Sequence, residues 1–240
     1  MVLEVILERK ISNKMGMYIV YFAIMLILPI YAQMKVRSTY NKFSQVSADR
    51  GMTGAQVARM ILDHHGLTDV RVVPTQGVLS DHYNPATKTV ALSEDNYYKA
   101  SIAGIAVAAH EVGHAIQHKE AYSFLTLRSK LVPVANISSN ISWVFLLIGF
   151  IATNPNFILI GIVLLAAGVL FQIVTLPVEF DASRRAMNEV VSLGIIGNNE
   201  ERSAKKVLNA AAMTYVAAAA VAVLELLRLI LIYTGMRSDD

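Results

Sequence analysis

The sequence predicts a mostly α, multi-span helical membrane protein with a small α+β soluble portion. Three observations carry that reading. Of 240 residues, 55% are hydrophobic and 16% charged, a balance foreign to most soluble domains. Two long runs contain no charge at all, and a turn-punctuated stretch with short β-like segments lies between them. There is no cysteine, which excludes a disulfide framework and thiolate metal sites and leaves histidine and carboxylate as metal ligands. The net charge of +3 would suit nucleic acid. The basic residues, however, flank apolar segments without interleaved aromatics, so they read as topology determinants and nucleic acid is not expected as a partner.

Taken in order, residues 1–14 are a mixed, amphipathic tail with Arg9, Lys10 and Lys14. Met15 to Met34 follows, 20 residues without a charge, about the length that crosses a hydrocarbon core. Tyr31-Ala32-Gln33 is a poor signal-peptidase site, so 15–34 is expected to stay as transmembrane helix 1; Met15 or Met17 would equally serve as a start.

Residues 35–130 form the expected soluble portion. Thr53-Gly54-Ala55-Gln56 is a capping box, Val57, Met60, Ile61 and Leu62 follow at helical spacing, and Gly66 is a natural C-cap. Val70 to Val73 is β-branched, Asn84-Pro85 marks a turn, and Lys88 to Ser93 alternates apolar and polar residues, which predicts a small sheet. A helix is expected from near Ser101. If the sheet has a free edge beside that helix, an extended peptide would add to it through main-chain hydrogen bonds.

From Leu131 to Val178 there are 48 residues without a charge, too many for one span and enough for two. Asn154-Pro155-Asn156 interrupts them, giving a transmembrane hairpin over 131–178 with arms of roughly 141–153 and 157–176. The first arm is short unless it extends back through Asn136 to Asn140. Residues 179–209 are polar, 210–234 form transmembrane helix 4, and 235–240 are a tail. Glu225 and Arg228 stand i,i+3 inside that last helix and read as a structural pair. Four spans put both polar segments on one side. The hairpin turn has no Lys or Arg, whereas Arg184, Arg185, Arg202, Lys205 and Lys206 follow it, so the polar side is expected to face the cytoplasm. The basic tail points the other way, and the hairpin asymmetry decides.

Chemistry concentrates at His110-Glu111-Val112-Gly113-His114, an HExxH pattern. On a helix the i,i+4 histidines share one face about 6 Å apart along the axis, so one tetrahedral Zn²⁺ takes a nitrogen from each. Glu111 is the expected general base: it removes a proton from zinc-bound water, whose pKa falls to roughly 7, and then protonates the leaving amine. Gly113 is the small residue that lets another backbone come close. The portion is therefore zincin-like, and a peptide or protein is the expected substrate.

A catalytic zinc needs a third protein ligand. The pattern HExxHxxGxxH is not met, because position 117 is Gln and position 120 is Glu. His118 stands i+8 from His110, about 12 Å along the axis and out of reach. A later Glu or Asp is the remaining source: Glu179 ends the long uncharged run, and Asp181 is the rival ligand or a partner that fixes an imidazole tautomer. His82 is a further catalytic candidate as a donor to a tetrahedral intermediate, or it caps the Asn84-Pro85 turn. Arg184 and Arg185 would neutralise Asp181 or meet lipid headgroups, and His64 and His65 read as solvated helix-end residues.

Four separated blocks carry a resemblance: Leu79-Ser80-Asp81-His82-Tyr83-Asn84-Pro85, Ala108-Ala109-His110-Glu111-Val112-Gly113-His114-Ala115-Ile116-Gln117-His118, Leu131-Val132-Pro133-Val134-Ala135-Asn136-Ile137, and Leu176-Pro177-Val178-Glu179-Phe180-Asp181-Ala182-Ser183-Arg184-Arg185-Ala186. Together they resemble the YugP-type neutral zinc metallopeptidases, prokaryotic membrane proteins, over nearly the whole chain from Met17. The resemblance implies a zinc-dependent membrane endopeptidase. The plan is also similar to the wider class of membrane zinc proteases that pair HExxH with a downstream E-x-x-x-D, which implies Glu179 as third ligand. In that class the Asp orients a histidine. Position 183 is Ser here, so the orienting role is expected to pass to Asp181 or elsewhere.

Two other readings compete. A site-2-type intramembrane protease would need the motif inside a span, but only nine mostly apolar residues, Ser101 to Ala109, precede His110, and Lys119 follows closely. A non-catalytic membrane scaffold with a structural zinc would fill four ligand positions and would have no use for Glu111. The sequence carries no signal of oligomeric state or of one physiological substrate.

Overall fold

The computed structural model describes the backbone of residues 2–238 and the side chains of residues 15–236. The chain order is α1 (Val2–Ser44), α2 (Gly54–His64), β1 (Arg71–Thr75), β2 (His82–Asn84), β3 (Thr89–Ser93), α3 (Glu94–Tyr98), α4 (Ile102–Lys119), α5 (Ser123–Ile151), α6 (Pro155–Ser192) and α7 (Asn198–Ser238). Four helical segments, Met15–Ser44, Ser123–Ile151, Pro155–Ser192 and Asn198–Met236, are long and apolar enough to cross a membrane. The side chains of Arg9, Lys10 and Lys14 lie outside the described residues.

Local signals read from the sequence set the small elements. Thr53 caps α2 reciprocally: its Oγ1 accepts from Gln56 N at 3.3 Å while Gln56 Oε1 accepts from Thr53 N at 2.9 Å. Gly66 then leaves the helix at φ +65°, a left-handed conformation natural to glycine. Ser101 Oγ accepts from Gly104 N at 3.0 Å and starts α4. The sheet order is β1-β3-β2, with β1 parallel and β2 antiparallel to the central, fully buried β3. Helix α3 has no counterpart in the sequence reading. It is tied down by Asn96, which accepts from the Tyr40 hydroxyl at 3.0 Å and donates to Asp81 at 3.0 Å.

The long helices extend further than the uncharged runs. Beyond Met34, α1 continues to Ser44, because Lys35 to Ser44 contains no Gly or Pro to break it. The hairpin arms lengthen in the same way: α5 begins at Ser123 and carries the polar Asn136 to Asn140 stretch within one helix, so the first arm is not short. Between them Thr153 takes φ +48°, Asn154 Oδ1 accepts from Asn156 N at 2.9 Å, and Pro155 sits where a helix start tolerates it. Helix α6 does not stop at Pro177 and runs on to Ser192.

Helix α4 is the hub of the small α+β portion. Ile105, Ala108, Ala109, Val112 and Ile116 are buried against Val57, Ile61 and Leu62 of α2 and Val90 and Leu92 of β3. Burial on all sides accounts for the unbroken apolar run ahead of His110, each large side chain contributing about 1.5–3 kcal/mol. On its other side α4 meets α6. A Cβ on Gly113 would sit 2.7 Å from the carbonyl oxygen of Ala182, so the two backbones touch there only because position 113 has no side chain. Within the last span Glu225 pairs with Arg228 at 2.6 Å, and Tyr21 of α1 donates to the same carboxylate, pinning α1 to α7.

Candidate metal centre and active site

His110 and His114 stand one turn apart on α4 with ring centroids 4.8 Å apart. The α4–α6 contact at Gly113 brings Glu179 opposite them, its Oε2 lying 3.3 Å from His110 Nε2 and 3.6 Å from His114 Nε2. One ligand atom from each of the three residues falls within 4.8 Å of the others, close enough to hold one metal ion. Glu179 is only 2% exposed, and its Oε2 has no hydrogen-bond partner. A buried carboxylate oxygen facing two imidazole nitrogens without a bond of its own is costly. One divalent cation there satisfies all three atoms, and the donor set of two imidazoles and a carboxylate suits zinc.

The outer nitrogens of the two rings are held separately. Gln117 is wholly buried, and its Nε2 donates to Val178 O at 2.8 Å and to Asp181 Oδ2 at 2.9 Å. Two acceptors fix that atom as the amide nitrogen, so Oε1, 3.0 Å from His114 Nδ1, is an acceptor. His114 must therefore carry its proton on Nδ1 and present an unprotonated Nε2 to Glu179. Ser183 Oγ lies 3.1 Å from His110 Nδ1 and serves the other ring. Burial opposes a charge on His114, but the Glu179 carboxylate that faces its Nε2 and the field of Glu111 outweigh it and lift the imidazole above its ordinary value. The same negative field favours a cation between the rings.

Asp181 is not in the three-residue group. Its carboxylate reaches His114 only through Gln117, and it also binds Arg184 and, at 2.6 Å, Arg185, which in turn pairs with Glu120. Both arginines are thus engaged near the site. At position 183 the Ser hydroxyl stands where it can accept the His110 N–H as a carboxylate would. Glu111 is 9% exposed, and its carboxylate makes no ion pair or hydrogen bond with protein among the described residues.

The structure does not bring His82 or His118 to the cluster. His118 Nδ1 lies 2.9 Å from the Tyr83 hydroxyl, and His82, one residue along β2, points to the opposite face with Nδ1 2.9 Å from Ser80 O. His65 is no bare helix end: its Nε2 lies 2.9 Å from Glu189 Oε1.

Two residues escaped the sequence reading. Arg128 of α5 places Nη1 3.7 Å from Glu179 Oε1, with its Nε buried and unbonded, and the Tyr215 hydroxyl of α7 interacts with Glu179. Neither belongs to a spaced motif, so no pattern pointed to them. A cleft of about 730 Å³ opens beside the cluster, bounded by His114, Gln117, Arg128, Val132, Tyr83 and Pro85. Strand β2 is an edge of the sheet and lines this cleft.

A family model described as "Putative neutral zinc metallopeptidase" matches residues 18–234. "Putative membrane protease YugP" of Bacillus subtilis (strain 168) is 51% identical over 213 residues, covering 89% of this chain and 95% of that protein. No solved structure matches the chain.

Proposed function

The chain belongs to the family described as "Putative neutral zinc metallopeptidase", and on that premise we propose that it is a membrane-anchored zinc endopeptidase. In this reading His110, His114 and Glu179 hold one Zn²⁺ and Glu111 is the general base. The observation that carries it is the unbonded, buried Glu179 Oε2 facing both Nε2 atoms. Bound there, zinc would polarise the scissile carbonyl and make water acidic enough to attack near neutral pH.

The protein's own groups do the rest. Glu111, adjacent to His110 on α4, takes the proton from the attacking water and returns it to the leaving amine. Ser183 and Gln117 hold the rings so that their Nε2 lone pairs converge. An extended substrate would lie along β2 in the cleft, exchanging main-chain hydrogen bonds with the strand edge. A structural zinc would be closed by four protein ligands, whereas three come together among the described residues, which favours catalysis over a scaffold. The charges after the hairpin support a cytoplasmic orientation of this chemistry at the plasma membrane.

The test is cleavage of an unstructured protein by the detergent-purified full chain and by Glu111→Gln, with zinc measured on the same samples. Wild type is expected to cleave, the variant to be silent, and both to hold about one zinc per chain. Zinc in both with equal cleavage would remove Glu111 from the mechanism, and no zinc in either would remove the metal centre.

A further inference from the structure

Away from the metal centre, α1 and α7 face each other across a groove of about 400 Å³. One wall is Lys35, Ser38, Thr39 and Lys42, and the other is Lys206, Asn209, Ala210 and Met213. Each set follows i, i+3, i+4, i+7, so each is a single helix stripe. The two helices run antiparallel, since Tyr21 meets Glu225 at one end and the groove residues meet at the other. That register sets Lys35 beside Met213, and Lys42 with Lys206 about 10 Å further along the axis.

The groove sits where both helices leave the apolar zone. Lys35 is the first charge after Met15 to Met34, and Ala210 opens the last apolar segment. No acidic residue lines it, and none of the three ammonium groups has a carboxylate partner among the described residues. Lys42 lies 5.6 Å from the centre of the Phe43 ring, whose buried face closes the floor. Below Lys35 the flank of α1 presents exposed Ile30, Tyr31 and Met34 toward the hydrocarbon side. Three cations without a carboxylate partner among the described residues, two hydroxyls and an amide above an apolar flank match a phosphate-bearing headgroup with acyl chains beneath it.

We infer that this groove binds the headgroup of an anionic phospholipid, with Lys35, Lys42 and Lys206 on its phosphate oxygens and Ser38, Thr39 and Asn209 as neutral donors. Positive-inside topology alone would require basic residues on this side but not their convergence on one cleft from two helices. The inference is independent of the peptidase reading.

The delipidated full chain, titrated with phosphatidylglycerol or phosphatidylcholine and read by native mass spectrometry, tests it. Wild type is expected to retain one phosphatidylglycerol in preference to phosphatidylcholine, and each lysine neutralised should cost about fivefold. The variant K35Q/K42Q/K206Q should lose the preference, whereas R37Q/R202Q/K205Q, which removes the same charge outside the groove, should keep it. Single K35Q and K206Q serve if the triple variant does not fold, and each should show its own fivefold loss. Equal retention by both triple variants, or equal loss by both, overturns the site. Displacement of the lipid by inorganic phosphate at matched concentration overturns the lipid as ligand and assigns the groove to free phosphate.

Discussion

Gln117 Oε1 lies 3.0 Å from His114 Nδ1, and the two hydrogen bonds made by the other end of the amide leave that oxygen no role but acceptor. One buried amide therefore dictates which nitrogen of His114 faces Glu179. It also links the α4 helix to the first turn beyond Pro177, so the ring is oriented by the same contact that positions the carboxylate.

Replacing Gln117 with Leu should keep the fold and weaken zinc binding about 10–100-fold, the usual cost of losing an orienting partner. Competition with a chromogenic chelator measures it. Zinc affinity equal to wild type would show that the packing of α4 alone orients His114.

Ser183→Ala should lower zinc affinity in the same range, and Ser183→Asp should restore it, because a carboxylate at this position can accept the His110 N–H. An aspartate variant weaker than the alanine one would mean that charge beside Glu179 matters more than orientation.

Gly113→Ala drives a methyl group to 2.7 Å from the backbone oxygen of Ala182. A carbonyl in a helix cannot swing aside, so α4 and α6 must separate, at about 1–3 kcal/mol. The expected result is a lower unfolding temperature and loss of zinc together. Normal zinc content in a destabilised variant would separate the helix contact from the metal geometry.

The pH dependence has opposite signs with and without metal. His114 is held above its ordinary value, so in zinc-free protein its contribution is complete below about pH 6.5 and is lost as pH rises through the elevated value. Zinc needs the unprotonated ring and gains over the same interval. The rise in unfolding temperature on adding zinc should therefore grow as pH is raised above about 6.5. A constant increment across that window would show that His114 does not exchange a proton for the metal.

The sequence made the motif helix, the capping box, the hairpin turn and Glu179 legible because each is a local pattern or the end of one. Charge-free length located the spans but not their ends, since helix α1 continues wherever nothing breaks it and α5 absorbs a polar stretch. The support of the histidines was not legible. Gln117 and Ser183 are ordinary polar residues until α6 packs against α4, and Asp181, two positions from Glu179, looked closer to the histidines than its contacts with Gln117 and Arg185 place it. Arg128 and Tyr215 reach Glu179 from helices far apart in sequence, a juxtaposition that only tertiary packing creates.

Helix α6 is continuous from the hairpin turn to Ser192 and carries Glu179 just beyond its apolar stretch. The two histidines are synthesised first, but their carboxylate partner follows a 48-residue uncharged run. The three-residue cluster is therefore completed only when the hairpin has been threaded and α6 has returned to α4. Chains still emerging from the ribosome, or stalled before insertion, lack the assembled centre. Insertion of the hairpin therefore precedes assembly of the His110, His114 and Glu179 cluster.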